Sequence, residues 1–314
     1  MLRASRAAFC AQRPRLPADF APRVGESFSG FELRGWRDYP DFRLRMFHLQ
    51  HARLGTPFFH FHADDPNNAF ALLFRTLPDD DSGKPHVLEH LALCGSERFP
   101  VRDPFFNMLR RSLNTYMNAW TCRDCTMYPF ATQNPADFRN LLAVYADATL
   151  AARLEPLDFL QEGVRRELRD GRLQYKGVVY NEMKGHYEEQ DAFVAQETMR
   201  LLFAGSELGL DSGGRPDRIR GLTHAALKEY YARHYHPSNA AMASYGDLDF
   251  RPTLAFLETE YLSRFEPRPA VAPPRPAAPV PGLQELTCPD SEGTVTTELN
   301  DVKTHQPLGK EMHV

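Results

Sequence analysis

The segment Pro85-His86-Val87-Leu88-Glu89-His90-Leu91 sets two histidines four positions apart, with a glutamate directly before the second. On an α-helix, positions i, i+3 and i+4 share one face. His86 and His90 would then point at a single metal ion, with Glu89 beside it and within reach of a coordinated water. A catalytic zinc takes three protein ligands and keeps one position open. Such a trio suits hydrolysis. The metal brings the pKa of a water toward about 7, Glu89 accepts the proton as general base, and the same carboxyl hands it to the leaving amine.

The third ligand must come from elsewhere, and a carboxylate is the usual complement to two histidines. Glu182, within Val178-Val179-Tyr180-Asn181-Glu182-Met183-Lys184-Gly185, is the candidate, with Glu188 and Glu189 as alternatives. On one unbroken helix Glu189 falls two turns beyond Glu182 on the same face, which suits a residue holding a ligand from behind. This set implies one Zn2+ per chain as cofactor. Ordinary solvated helices also produce H-x-x-E-H by chance, so the pentapeptide does not decide the matter alone. The remaining histidines have plainer readings: His48, His60 and His62 as strand residues, His234 and His236 as capping or packing residues around Tyr235. Cys122-Arg123-Asp124-Cys125 is a single C-x-x-C. No second pair completes a four-cysteine site, and it reads as two neighbouring thiols on a strand.

The elements that must position these residues follow from periodicity. Phe28–Leu33, Arg43–Leu49 and Pro57–His62 read as strands, the latter two with stretches of apolar–polar alternation. Phe70–Thr76 is an unbroken apolar run that suits a central strand. Pro85 fits the first turn of the motif helix, where a missing N–H costs nothing, and Gly95 fits a left-handed cap at its end. A second helix opens at Asp103-Pro104. Thr115–Thr121 and Thr126–Thr132 pair around a turn at Arg123-Asp124. Asn134-Pro135 starts a helix with Phe138, Leu141, Leu142, Tyr145 and Ala148 on its apolar face. Further helices are expected over 159–168, over 177–203 with an interruption near Gly185, over 223–235 and over 250–265, with a short strand at 240–245. The fold class is α+β: an antiparallel-rich mixed sheet flanked by helices.

Composition bounds the rest. The chain has 314 residues, 42% hydrophobic and 25% charged, with a net charge of −4, which offers no basic surface for nucleic acid. No apolar run is long enough to span a membrane. Five scattered cysteines do not make a disulfide framework. Residues 1–24 form a stretch whose early part is rich in arginine and lacks acids, as in a mitochondrial transit peptide or a basic disordered end. Residues 25–265 form the catalytic domain, 266–282 a proline-rich linker, and 283–314 a polar tail without clear period, expected to be poorly ordered.

Around the motif lie Leu93-Cys94-Gly95-Ser96, Arg102-Asp103-Pro104-Phe105-Phe106, Met117-Asn118-Ala119-Trp120-Thr121, Tyr128-Pro129-Phe130-Ala131-Thr132-Gln133-Asn134 and His234-Tyr235-His236-Pro237-Ser238-Asn239. With Val179–Gly185 these resemble, in order, the pitrilysin-type (inverzincin) zinc metallopeptidases. The resemblance runs from about Gly25 to Tyr245, and fades after Thr287–Ser291. It implies that Glu182 is the third zinc ligand and that Asn118, Ala119 and Trp120 form an edge along which a substrate lies as an added strand. It also implies peptide substrates, namely cleaved targeting presequences and other short unstructured peptides, in the mitochondrial matrix. Members of that family are longer chains with two halves that close over the substrate. The C-terminal half that closes the chamber is missing from this sequence, so weak or no turnover is expected of the chain alone. The competing reading is a non-catalytic peptide-binding or assembly subunit of the same fold, which the intact motif disfavours.

Overall fold

Alternation along the first half of the chain builds a sheet. The structure is a computed structural model and describes residues 15–17, 20–277, 284–287 and 294–297. Strands β1 (Ser27–Phe28) and β2 (Phe31–Tyr39) form a hairpin, because Ser29 and Gly30 both take positive φ between them. The segment expected as one short strand is therefore a turn with a long second arm. β3 (Leu44–His51), β4 (Pro57–Ala63) and β5 (Asn68–Arg75) follow. Further along come β6 (Asn114–Met117), β7 (Trp120–Thr121) and β8 (Cys125–Thr132). β9 (Arg165–Arg169) and β10 (Arg172–Lys176) make a separate hairpin, and β11 (Ala240–Gly246) returns to the main sheet. That sheet has nine strands in the order β1-β2-β3-β4-β11-β5-β8-β6, with β7 also on β8. Every pairing is antiparallel except β11 on β4. β5 sits inside the sheet between β11 and β8, as its apolar run requires.

The helices are α1 (Lys84–Ala92), α2 (Pro104–Arg111), α3 (Pro135–Leu150), α4 (Pro156–Glu162), α5 (Val178–Glu188), α6 (Gln190–Leu202), α7 (Pro216–Ile219), α8 (His224–His234) and α9 (Arg251–Glu260). Proline stands in the first turn of α1, α2, α3, α4, α7 and α9, where the backbone N–H has no helical partner to lose. Asn134 caps α3 by accepting from the N–H groups of Ala136 and Asp137. α3 packs on β5 and β8 through Phe138, Leu141, Leu142 and Tyr145, and α1 lies against β7 and β8.

Four expectations change. The helix expected over 159–168 stops at Glu162, and the chain turns into the β9–β10 hairpin through Asp170-Gly171, both at positive φ. Asp-Gly between short strands is a hairpin signal that outweighs the helical reading. The break in the 177–203 region falls at Glu189, whose extended backbone separates α5 from α6, and not at Gly185. α1 ends on a right-handed Leu93; Gly95 serves close packing instead, since a Cβ there would lie 3.3 Å from the Val101 carbonyl oxygen. In the polar tail, β12 (Gln284–Thr287) and β13 (Thr294–Thr297) pair antiparallel where no strand period was read.

The described part of the proline-rich stretch, residues 266–277, lies extended along the domain surface. Arg75 donates to the Val271 carbonyl and Arg268 to those of Ala232 and Arg233. At the other end, Leu16 is buried and Phe20 packs among Phe28, Phe47 and Phe250. Residues 1–14 and 298–314 lie outside the described residues, and so do the parts of the expected leader and tail that fall there.

Candidate metal centre and cleft

α1 is divided by its own periodicity. Val87, Leu88 and Leu91 are fully buried, which turns His86, Glu89 and His90 to the opposite face. α5 does the same: Val179, Tyr180 and Met183 face inward and Glu182 faces out. The outward faces meet. Glu182 Oε2 lies 3.7 Å from His86 Nε2 and 3.9 Å from His90 Nε2. His86, His90 and Glu182 form the group of potential metal ligands that the described residues bring together, with ligand atoms within 4.8 Å of one another. Glu188 instead pairs with Lys184 at 3.6 Å. The Glu189 side chain is exposed and, among the described residues, makes no hydrogen bond or ion pair, because the helix breaks there. The role expected for it falls elsewhere.

That role falls to Glu162. Its Oε2 lies 3.1 Å from His90 Nδ1, and His86 Nδ1 lies 3.2 Å from the Gly213 carbonyl oxygen. A carbonyl and a carboxylate only accept, so each Nδ1 is the donor and carries the ring proton. Both Nε2 lone pairs are then directed at the Glu182 carboxylate. Three acceptors facing each other fit a shared cation. Zinc bonds of about 2.0–2.2 Å place tetrahedral ligands about 3.4 Å apart, so the two histidine–Glu182 distances need to close by only a few tenths of an ångström. The field agrees. Burial disfavours a charged His90, but the Glu162 hydrogen bond and the charges of Glu89, Glu162 and Glu182 outweigh it and raise its pKa above the ordinary histidine value. The reciprocal effect lowers Glu162: its hydrogen bonds to His90 and Gln161 overcome the cost of burial.

Two glycine contacts set this geometry. A Cβ on Gly177, which precedes α5, would lie 1.9 Å from the carbonyl oxygen of Gly163, which ends α4. The ends bearing Glu162 and Glu182 can meet only without that atom. Gly83, the left-handed N-cap of α1, touches the loop whose Gly213 carbonyl holds His86; a Cβ there would lie 2.6 Å from that oxygen.

Glu89 accepts a 2.6 Å hydrogen bond from the Thr121 hydroxyl, which fixes the carboxylate against β7. Both line a cleft of about 510 Å³ with His86, Glu182, Trp120 and Arg123. β6 and β7 form the sheet edge beside it. The N–H groups of Asn118 and Cys122 donate inward, to Pro129 and Cys125. Alternation therefore turns the backbone of Ala119 and Thr121 outward along the edge. The Asn118 carbonyl is already bonded by the Tyr145 hydroxyl, while the Asn118 and Trp120 side chains are exposed and Ala119 is buried. Cys122 and Cys125 are free thiols at the hairpin turn, and burial pushes the Cys125 thiol up to about 12. His60 and Ser244 bond each other at 2.8 Å, His234 Nδ1 meets the Arg75 carbonyl, and both histidines are buried in the core. Glu162 had no signal in the sequence, since it stands at no diagnostic spacing from the motif; Thr121 lies in the Met117–Thr121 stretch of the family resemblance, where no role was assigned to it.

Residues 75–188, which include the whole ligand group, Glu89, Thr121 and Glu162, match the family described as Insulinase (Peptidase family M16). The chain belongs to peptidase family M16. M16 is a family of metallopeptidases, so a metal belongs to its chemistry. Residues 221–306 of this M16 chain match the description "Peptidase M16 inactive domain", which carries the likeness past the point near Ser291 where it was expected to fade. Among curated proteins it is 45% identical over 273 residues to a mitochondrial presequence protease of Danio rerio, covering 84% of this chain and 27% of that protein. The mouse counterpart is 43% identical over 288 residues, covering 89% and 28%. The chain thus spans about a quarter of the length of these relatives. Among solved structures, pitrilysin shares the fold with a TM-score of 0.62 at 17% identity, over 80% of this chain and 26% of that one. The first half of the periplasmic protease PqqL from Escherichia coli gives 0.56 at 21%, over 74% and 48%.

Proposed function

We propose that this chain carries the metal-binding half of a zinc endopeptidase site for presequences and other short unstructured peptides, working in the mitochondrial matrix. The observation that carries the reading is the convergence of His86 Nε2, His90 Nε2 and the Glu182 carboxylate, with both Nδ1 nitrogens bonded from behind. The likeness to mitochondrial presequence proteases supports the substrate class and a mitochondrial location. His86, His90 and Glu182 would hold the zinc, which when bound would polarise a peptide carbonyl and acidify a water. Glu89, held by Thr121, is placed to accept a proton in the cleft and to hand it to the departing amine. Glu162 keeps the His90 ring in the tautomer that presents Nε2. The outward backbone groups of Ala119 and Thr121 receive the peptide as an added strand, a mode that accepts many sequences because it bonds main chain; the Asn118 and Trp120 side chains flank it.

The domain organisation belongs to the same proposal: a leader up to residue 24, of which Leu16 and Phe20 pack into the domain core, a catalytic domain over 25–265, a linker over 266–282 and a tail over 283–314. Glu182 is 54% exposed, so water reaches the centre freely. Turnover by these residues is expected to be slow unless another element covers the cleft.

Metal analysis tests the reading. The purified chain should retain about one zinc, lost in His86→Ala and His90→Ala and sharply weakened in Glu182→Ala. Glu89→Gln should keep the zinc and abolish cleavage of a quenched presequence peptide. A wild-type chain that takes up no zinc at neutral pH would overturn the proposal.

A further inference from the structure

Arg123 occupies the turn between β7 and β8 and lines the same cleft, two residues beyond the Thr121 that holds Glu89. Its guanidinium is half-buried. It donates to two neutral acceptors: Gln196 Oε1 at 2.8 Å and, at the limit of bonding, the Leu208 carbonyl at 3.5 Å. Among the described residues no carboxylate lies within ion-pair distance of it. Asp211 acts on it only at longer range, and the Asp211 oxygens are taken by the Tyr187 hydroxyl at 2.5 Å and the Gly213 N–H at 3.0 Å. Guanidinium has five N–H donors in a planar fork that matches a carboxylate. Burial depresses the Arg123 pKa, the mark of a charge that the fold holds without a contact counterion.

Resting on the proposed peptide-cleft reading, we infer that Arg123 is a specificity residue that receives a carboxylate of the bound peptide. Two strand residues span about 7 Å. The carboxylate therefore belongs within two or three positions of the bond beside Glu89. It comes from an aspartate or glutamate side chain, or from a peptide C-terminus ending there. Gln196 orients the fork by accepting from Nη2, which leaves the remaining donors for the ligand.

The test is peptide binding to the zinc-loaded Glu89→Gln chain, read by fluorescence anisotropy. A neutral unstructured peptide is compared with versions carrying a single glutamate at successive positions, each with a free or amidated C-terminus. At low salt at least one acidic version should bind about tenfold tighter than the neutral amide, a gain of the size a charge-assisted hydrogen bond gives, and the gain should shrink in salt. Arg123→Gln should remove the gain without weakening the neutral peptide, and Arg123→Lys should retain part of it. A gain that follows only the free terminus identifies the terminal carboxylate as the source; one that survives amidation identifies the side chain. Equal affinities in the unsubstituted turn, or a gain that survives Arg123→Gln, would overturn the assignment and leave the peptide cleft standing. If the neutral peptide does not bind at all, the cleft reading falls and this assignment falls with it.

Discussion

His90 uses its two ring nitrogens for different tasks, and Glu162 decides which does which. The 3.1 Å contact at Nδ1 leaves Nε2 with a free lone pair beside Glu182. Glu162→Gln keeps the shape, but the amide can turn its NH2 toward the ring and stabilise the wrong tautomer. Zinc affinity should fall about 10- to 100-fold, measured by competition with a chromophoric chelator, while the unfolding midpoint of the metal-free chain changes little. Glu189→Gln should leave zinc affinity unchanged in the same assay, because that side chain stands beyond the helix break.

At the scale of elements, the centre exists because α1, α4 and α5 approach more closely than side chains normally allow. Gly177 meets the Gly163 backbone with no room for a methyl group. Both groups in that clash are main chain, so neither can swing aside. Gly177→Ala should push α5 from α4, cost about 1–3 kcal/mol of stability, and weaken zinc binding although it touches no ligand. Urea unfolding and zinc titration of the same variant would check both. Gly185, with nothing near its Cβ position, is the control: Gly185→Ala should be neutral or slightly stabilising, as expected inside a helix.

Over the whole molecule, buried histidines set the response to acid. Burial lowers His60 to about 3 and His234 and His236 to about 4. Their folded pKa values lie below the unfolded value of about 6.5. The stability they contribute is therefore fully present above that value and is lost as pH falls toward 4. His90 runs the other way, since its pKa is raised and its proton stabilises the metal-free fold at low pH. Burial lowers His62 as well, so four groups against one leave a net loss. With chelator present, the urea midpoint should decline from about pH 6.5 downward, above the range where carboxylates titrate; a flat midpoint between 6.5 and 5 would contradict this. Asp79 and Asp80, held low by Lys84 against partial desolvation, add their loss only at more acidic pH.

Much of this protein is local and therefore legible. The i, i+4 spacing of His86 and His90, the prolines that open helices, the Asn134 cap and the apolar run of β5 are short-range rules. Each held because neighbouring residues alone decide it. The Asp170-Gly171 hairpin was legible in the same way, although the helix expected over 159–168 overlaps its first strand. The rest is long-range. Glu162 meets His90 across 72 positions, and Arg123 meets Gln196 across 73. Helical periodicity places a side chain on a face; it does not say which other face that one will meet. Glu182 was already the candidate in the sequence; that Glu188 turns to Lys184 and Glu189 lies beyond the helix break needed the packed helices. Finding Glu162 needed the glycine contact that lets two helix ends touch. Only the packed chain supplies those, because they depend on which backbones can approach within a methyl's width.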